Sequence, residues 1–213
     1  MKTDQAGHQD DIWELSGLLT GFTDPPRPEL DPFLDAAAAC FARYGIRRTS
    51  VQDVAREMGV DRTTVYRQVG TISHQVRLLA TRDLSRLLHS LPARARRPFG
   101  PASVIETMVS VINDMSHHPV VAKTLADDAQ TITLSGLAVL PPLLSQAAET
   151  IGPMLEEAMD AGVLARRDPL ILAEWLVRLV VTLVLVPSQG DLRSSLFELL
   201  LPVLTPQVAS GSS

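Results

Sequence analysis

Hydrophobic positions recur at helical spacing on both sides of one glycine in residues 49–68, TSVQDVAREMGVDRTTVYRQ. Val51, Val54, Ala55 and Met58 fall three and four residues apart, so they share one face of a short helix. Thr49 with Gln52 has the spacing of a capping box, and Ser50 with Asp53 repeats it one residue later. Gly59 follows the last periodic residue, where a left-handed C-cap is expected. Asp61 then opens a second short helix whose apolar positions are Val65 and, across the turn, Val60. That helix turns Arg62, Thr63, Tyr66 and Arg67 outward. Two helices, a tight glycine turn and a polar second helix have the layout of a helix-turn-helix, whose second helix can enter the major groove. The spacing alone leaves function open, because such pairs also occur in all-α proteins that never meet DNA.

The same periodicity partitions the rest of the chain. Residues 1–30 are a leader: polar to Asp11, then a possible short helix with Ile12, Leu15, Leu18, Leu19 and Phe22, ended by Pro25-Pro26. A helix is predicted from Asp31, its cap, to Tyr44, with Leu34, Ala37, Ala38, Phe41 and Tyr44 on its core face. Gly45 stops it, and Arg47 and Arg48 occupy the following loop. Further helices are predicted over 71–90, 102–116, 119–128 and 143–162, with 129–134 as a loop and Pro141-Pro142 at the start of the last. Residues 171–186 are apolar nearly all round, so they must be buried on most sides, in part against another chain. Asp191 caps a final helix bearing Leu192, Leu196, Leu199, Leu200 and Val203. The fold class is all-α: an extension (1–30), a helix-turn-helix head (31–75), a larger helical domain (76–205) and a tail (206–213).

Composition bears on the partner. The net charge of −5 argues against nucleic acid until it is divided along the chain. Residues 1–42 balance at −6, residues 43–97 at +8 and residues 98–213 at −7, so the cations gather around the helix-turn-helix. The single cysteine, Cys40, lies in the apolar register of the first helix and reads as a buried thiol; with no internal disulfide possible, a cytoplasmic setting fits. The polar start, MKTDQAGHQDD, has no signal-peptide pattern, and the 171–186 run is too short and too charged for a membrane span. No nucleophile, phosphate-loop, dinucleotide or zinc motif is present. His117-His118 are neighbours pointing about 100° apart on a helix, poor partners for one metal, and Glu156-Glu157 read as a solvated face. We therefore expect no enzyme activity, no catalytic residue, no metal and no cofactor.

Residues 31–80 resemble the N-terminal domain of the TetR family of transcriptional regulators. The resemblance is carried by Ala38, Phe41 and Tyr44-Gly45, then Thr49-Ser50-Val51, Asp53-Val54-Ala55, Gly59-Val60 and Thr64-Val65-Tyr66. Two positions depart from it: Val69 stands where the family commonly has an aromatic, and Thr71-Ile72-Ser73 where it commonly has Ser-Lys-Glu, which removes a usual phosphate contact. The resemblance implies double-stranded DNA as partner. Arg62 and Thr63 are assigned mainly to bases, Tyr66, Arg48, Thr49 and Ser50 mainly to phosphates, Arg67 to either, and Arg47 beside them. It implies a homodimer through the last two long helices, with Trp175, Leu179, Leu183, Leu192, Leu196 and Leu199 as interface candidates. It also implies a small hydrophobic effector in the C-terminal domain, for which Met108, Ile112, Met115 and Leu125, with Leu137, Leu144, Met154 and Leu155, are the candidate walls. The function expected is that of a ligand-responsive repressor; the alternative is a helical protein-interaction adaptor that does not use its head.

Overall fold

The computed structural model describes residues 25–94, 99–127 and 129–207, with backbone alone over 129–143. The leader helix expected within 12–22 and most of the tail lie outside the described residues. The described residues form nine α-helices and no strand: α1 Asp31–Tyr44, α2 Val51–Met58, α3 Arg62–Val69, α4 Ile72–Arg94, α5 Pro101–Ser116, α6 Pro119–Asp127, α7 Ala129–Asp160, α8 Pro169–Leu185 and α9 Leu192–Leu204. They gather into two compact units. The first holds the described residues to Leu87 together with His117–Leu143, the second Leu88–Ser116 together with the described residues from Leu144 onward. The boundary expected at residue 75 thus falls inside α4, and the head takes in α6, because α6 packs along α1 and adds Val120 to the core.

The first unit is built around an apolar seam. Leu34, Ala37, Cys40 and Phe41 of α1 meet Val54 and Ala55 of α2 and Val65 and Val69 of α3, all essentially inaccessible to solvent. Burying an aliphatic side chain of this size contributes about 1.5–3 kcal/mol, so the seam anchors two helices too short to persist alone. Burial also pushes the Cys40 thiol pKa up, as expected of a structural cysteine. Tyr44, assigned to the core face by its spacing, is exposed, with the Arg43 guanidinium over its ring. Asp31 is the first residue of α1 and not its cap; its carboxylate goes to α4.

Arg82 ties α4 to α1. Its side chain is 8 % exposed and reaches Asp35 at 2.7 Å and Asp31 at 3.4 Å on α1, and its neighbour Asp83 at 2.9 Å. Arg86 adds a contact to Asp31 at 2.6 Å. A buried guanidinium needs this many acceptors, since losing water without them costs several kcal/mol.

In the second unit α5 packs against both α8 and α9, with Val104, Ile105, Met108, Val111, Ile112, Leu176 and Leu196 in the core. Arg193 of α9 grips Glu106 of α5, and Arg94 grips Asp114. A Cβ on Gly152 of α7 would lie 2.9 Å from the end of the exposed Leu170 side chain. Residues 129–134, expected as loop, belong to α7, which also continues through Pro141-Pro142. β-forming side chains lower helix propensity by only tenths of a kcal/mol, a prior that context overrides. Glu174 and Arg178 pair at 2.6 Å one turn apart on α8, in the order that favours a helix.

Two outcomes test this arrangement. Arg82→Ala should lower unfolding free energy in urea by about 2–3 kcal/mol, below the 3–5 of a fully buried pair because Asp35 can re-solvate. Asp61, the α3 cap, is held below the usual carboxylate pKa by the Thr64 hydroxyl and then the Thr64 N–H. Its folded value lies below its unfolded one, so its contribution is full above the unfolded pKa and is lost as pH falls through the folded one. Asp61→Ala should therefore lower the melting midpoint by a few degrees at pH 7, with the gap to the parent closing below about pH 4.

Candidate nucleic-acid interface

The geometry of residues 49–70 follows from three caps. The box at the start of α2 is the Ser50 one: Ser50 accepts from the Asp53 N–H, and the Asp53 carboxylate accepts from the Ser50 N–H at 2.9 Å and hydroxyl at 2.6 Å. Gly59 ends α2 in the left-handed region at φ 68°, which a side chain would strain. Asp61 opens α3 by accepting from the Thr64 N–H at 2.9 Å. With Val65 and Val69 turned into the seam, Arg62, Thr63, Tyr66 and Arg67 stand outward, Tyr66 56 % exposed. Among the described residues neither Arg62 nor Arg67 is held in an ion pair, so both charges are available to an anion. Val69, where the resemblance leads one to expect an aromatic, is completely enclosed.

The far end of α3 is fixed from α4. Gln75, completely buried, donates its amide to the Gly70 carbonyl at 3.0 Å. Thr71 accepts the His74 N–H at 3.2 Å, and Arg77 lies 2.7 Å from His74 Nδ1. Burial, and then the Arg77 charge, hold the His74 pKa below the usual histidine value.

Two members of the phosphate set ahead of α2 already have partners within the protein. Thr49 is 7 % exposed and its hydroxyl donates to the Gly45 carbonyl at 2.8 Å, so it faces the protein. Arg48 is exposed but engaged: Nε donates to the Tyr44 carbonyl and Nη2 to Asp127, each at 2.7 Å. Ser50 and Arg47 are exposed. Of the amide groups at the start of α2, the Ser50 N–H already has the Asp53 carboxylate, whose pKa is lowered first by the Ser50 hydroxyl. No periodicity could have announced Asp127, which lies 79 residues from Arg48.

The other candidates divide between the units. Met108, Ile112, Leu144 and Leu155 are buried and Met115 and Met154 half-buried in the second unit. Leu125 belongs to the first unit, and the side chain of Leu137 lies outside the described residues. Of the interface set, Trp175 and Leu199 are exposed, and Leu179, Leu183 and Leu192 half-buried. Leu196 is corrected: at 4 % exposure it faces its own core. Ile171, Leu185 and Val203, not among the interface candidates, are open instead. Among the described residues no group of side chains is arranged to hold a metal, and no helix is long and apolar enough to cross a membrane.

Residues 33–68 match the family model described as bacterial regulatory proteins, tetR family. No curated protein sequence matches the chain. Among solved structures, the chain is similar to a TetR-family transcriptional regulator from Pectobacterium atrosepticum, at 13 % identity and a TM-score of 0.61 over 92 % of this chain and 91 % of that one. It is similar to Salmonella enterica GusR at 16 % identity and 0.61, over 84 % of this chain and 99 % of that one. It is similar to SmeT in complex with triclosan at 20 % identity and 0.58, over 87 % and 97 % of the two chains. SmeT is described as the repressor of a Stenotrophomonas maltophilia multidrug efflux pump. At these identities the likeness is one of fold, and the seam, caps and turn above supply its local reasons. Residues 33–68 thus match the model of the bacterial TetR-family regulatory proteins, and the chain shares the fold of a solved TetR-family regulator.

Proposed function

We propose that this protein is a homodimeric, DNA-binding transcriptional repressor whose hold on its operator is released by a small apolar effector. One observation carries the DNA half of this reading: the outward face of α3 bears Arg62, Thr63, Tyr66 and Arg67 and is backed by fully buried Val65 and Val69. A rigid helix with cationic and hydroxyl groups on one side suits base edges and phosphates of the major groove. The segregated charge of the surrounding segment supports it. In this reading Arg62 and Thr63 address bases, Tyr66 and Arg47 address phosphates, and Arg67 serves either. Two such helices reading successive turns of one duplex stand about 34–36 Å apart.

The dimer is supported by the open apolar side chains Ile171, Trp175 and Leu185 of α8 and Leu199 and Val203 of α9. Ile171, Trp175 and Leu185 recur at helical spacing, and single exposed leucines are common whereas a stripe of them marks an interface. The effector is supported by the aliphatic and thioether character of Met108, Ile112, Met115, Leu144, Met154 and Leu155. SmeT, of similar fold, is described in complex with triclosan and as a repressor. An effector shifts the equilibrium between DNA-competent and incompetent forms only by its difference in affinity for them.

Replacing both Arg62 and Arg67 by Ala should weaken binding to a random duplex by at least about tenfold in dilute salt and flatten the salt slope by about one to two. Unchanged anisotropy titrations would remove α3 from the interface. Leu199, 68 % exposed, gives a test of the dimer: Leu199→Glu should sediment as a folded monomer where the parent sediments as a dimer. A monomeric parent would count against the homodimer.

A further inference from the structure

Arg48 is the cation nearest the turn that leads into α2, yet its guanidinium already has a carboxylate. Asp127, the last residue of α6, places Oδ2 at 2.7 Å from Arg48 Nη2, while Nε of the same guanidinium holds the Tyr44 carbonyl at 2.7 Å. An isolated surface pair of this kind would mean little. Here the seat is shaped for it. A Cβ on Gly45 would lie 2.6 Å from Asp127 Oδ2, so the carboxylate occupies space that only a glycine leaves open. Gly45 is also held at φ 83°, its N–H bonded to the Phe41 carbonyl at 2.9 Å, so the backbone there cannot easily move away. Lys123, one turn earlier on α6, holds the other carboxylate oxygen at 3.2 Å. Partial desolvation raises the Asp127 pKa, but Lys123 and Arg48 outweigh it and leave the carboxyl below its usual value.

Resting on the DNA-binding function proposed above, we propose that Asp127 is an internal stand-in for a DNA phosphate on Arg48, an autoinhibitory contact that withholds one cation from the duplex while the end of α6 is seated on Gly45. A carboxylate and a phosphate oxygen ask the same of a guanidinium, a negative acceptor for its N–H groups, so the two compete for Nη2. With Asp127 seated, the head presents one net positive charge fewer at this turn. Unseating it returns that charge and adds one phosphate contact. α7 begins at Ala129, two residues beyond the carboxylate, so any displacement of the start of α7 bears directly on the seat.

The test uses the full chain and a random-sequence duplex, titrated by fluorescence anisotropy at several salt concentrations. Four proteins are compared: the parent, Asp127→Ala, Arg48→Ala and the double variant. Asp127→Ala should bind about threefold to tenfold more tightly than the parent in dilute salt, with a salt slope steeper by about 0.9, the value for one more phosphate. With Arg48 replaced, removing Asp127 should change affinity by less than about twofold, because the pair acts as a unit. Asp127→Asn, which keeps the side-chain shape, should repeat the gain in direction and serves if the alanine variant melts early. Parent-like or weaker binding by both Asp127 variants overturns the proposal. So does an equal gain with and without Arg48, since the carboxylate would then act only through its field. Absence of duplex binding by the parent overturns the DNA-binding function itself, and the stand-in with it.

Discussion

The interaction on which the head depends is the dry contact of Val54 and Ala55 with Val65, Val69, Leu34 and Phe41. Two helices of eight residues each have no independent stability, because nucleating a helix costs more than one or two turns return. They exist here because one side of each is withdrawn from water against α1. That same withdrawal fixes which side remains. Once Val65 and Val69 point inward, the 100° step of the helix leaves Thr63, Tyr66 and Arg67 facing outward, while Arg62, in the register of Val65, is exposed as the first residue of the helix. The polar face is a by-product of the apolar one, and its precision is that of the packing behind it. Gln75 on the Gly70 carbonyl and Arg82 on α1 extend this constraint into α4 with hydrogen bonds donated by buried side chains.

Charge is distributed on this frame with a division of labour. The arginines of α3 have no carboxylate of their own among the described residues, whereas Arg82, Arg86, Arg43, Arg56 and Arg48 each have one. The positive balance of the segment therefore overstates what an approaching anion meets. Arg82 is structural, since its desolvated guanidinium would be costly without Asp35 and Asp83. Arg43 and Arg56 bridge to acidic groups on α2 in high dielectric, where such pairs are weak and salt-sensitive. What remains for an approaching anion is concentrated on α3, with Arg48 paired to Asp127 at its border.

The second unit answers to a different constraint. Its helix α8 is too apolar to be covered by α5 alone, so part of its surface stays open at Ile171, Trp175 and Leu185. Trp175 is accompanied by Arg178, whose guanidinium lies 5.6 Å from the indole ring and also pairs with Glu174. An indole with a cation over its face combines apolar area with a nearby charge. Leu196 and Leu199 lie in one helix and meet opposite fates, one enclosed by its own protomer and one open.

The sequence by itself determined the local structure: the glycine turn, the Asp61 and Asp191 caps, the helical periodicity and the outward set on α3. These depend on neighbours within about four residues, where spacing translates directly into direction. It offered two registers for the α2 cap, and only the packed structure chose Ser50, because Thr49 is drawn inward to the Gly45 carbonyl. Periodicity placed Tyr44 inside and the resemblance placed Leu196 at an interface, and each lies on the other side because exposure depends on which neighbours arrive, not on phase. Local pattern broke the chain at 129–134, where α7 continues because the tenths of a kcal/mol by which β-forming side chains disfavour a helix are a weak prior, and at Pro141-Pro142, where α7 continues although an interior proline costs about 3 kcal/mol. The tertiary structure alone decided that α6 belongs with the head, that Arg82 gathers three carboxylates, and that Asp127 sits on Gly45. Those contacts join residues dozens of positions apart, and no pattern of nearest neighbours encodes them.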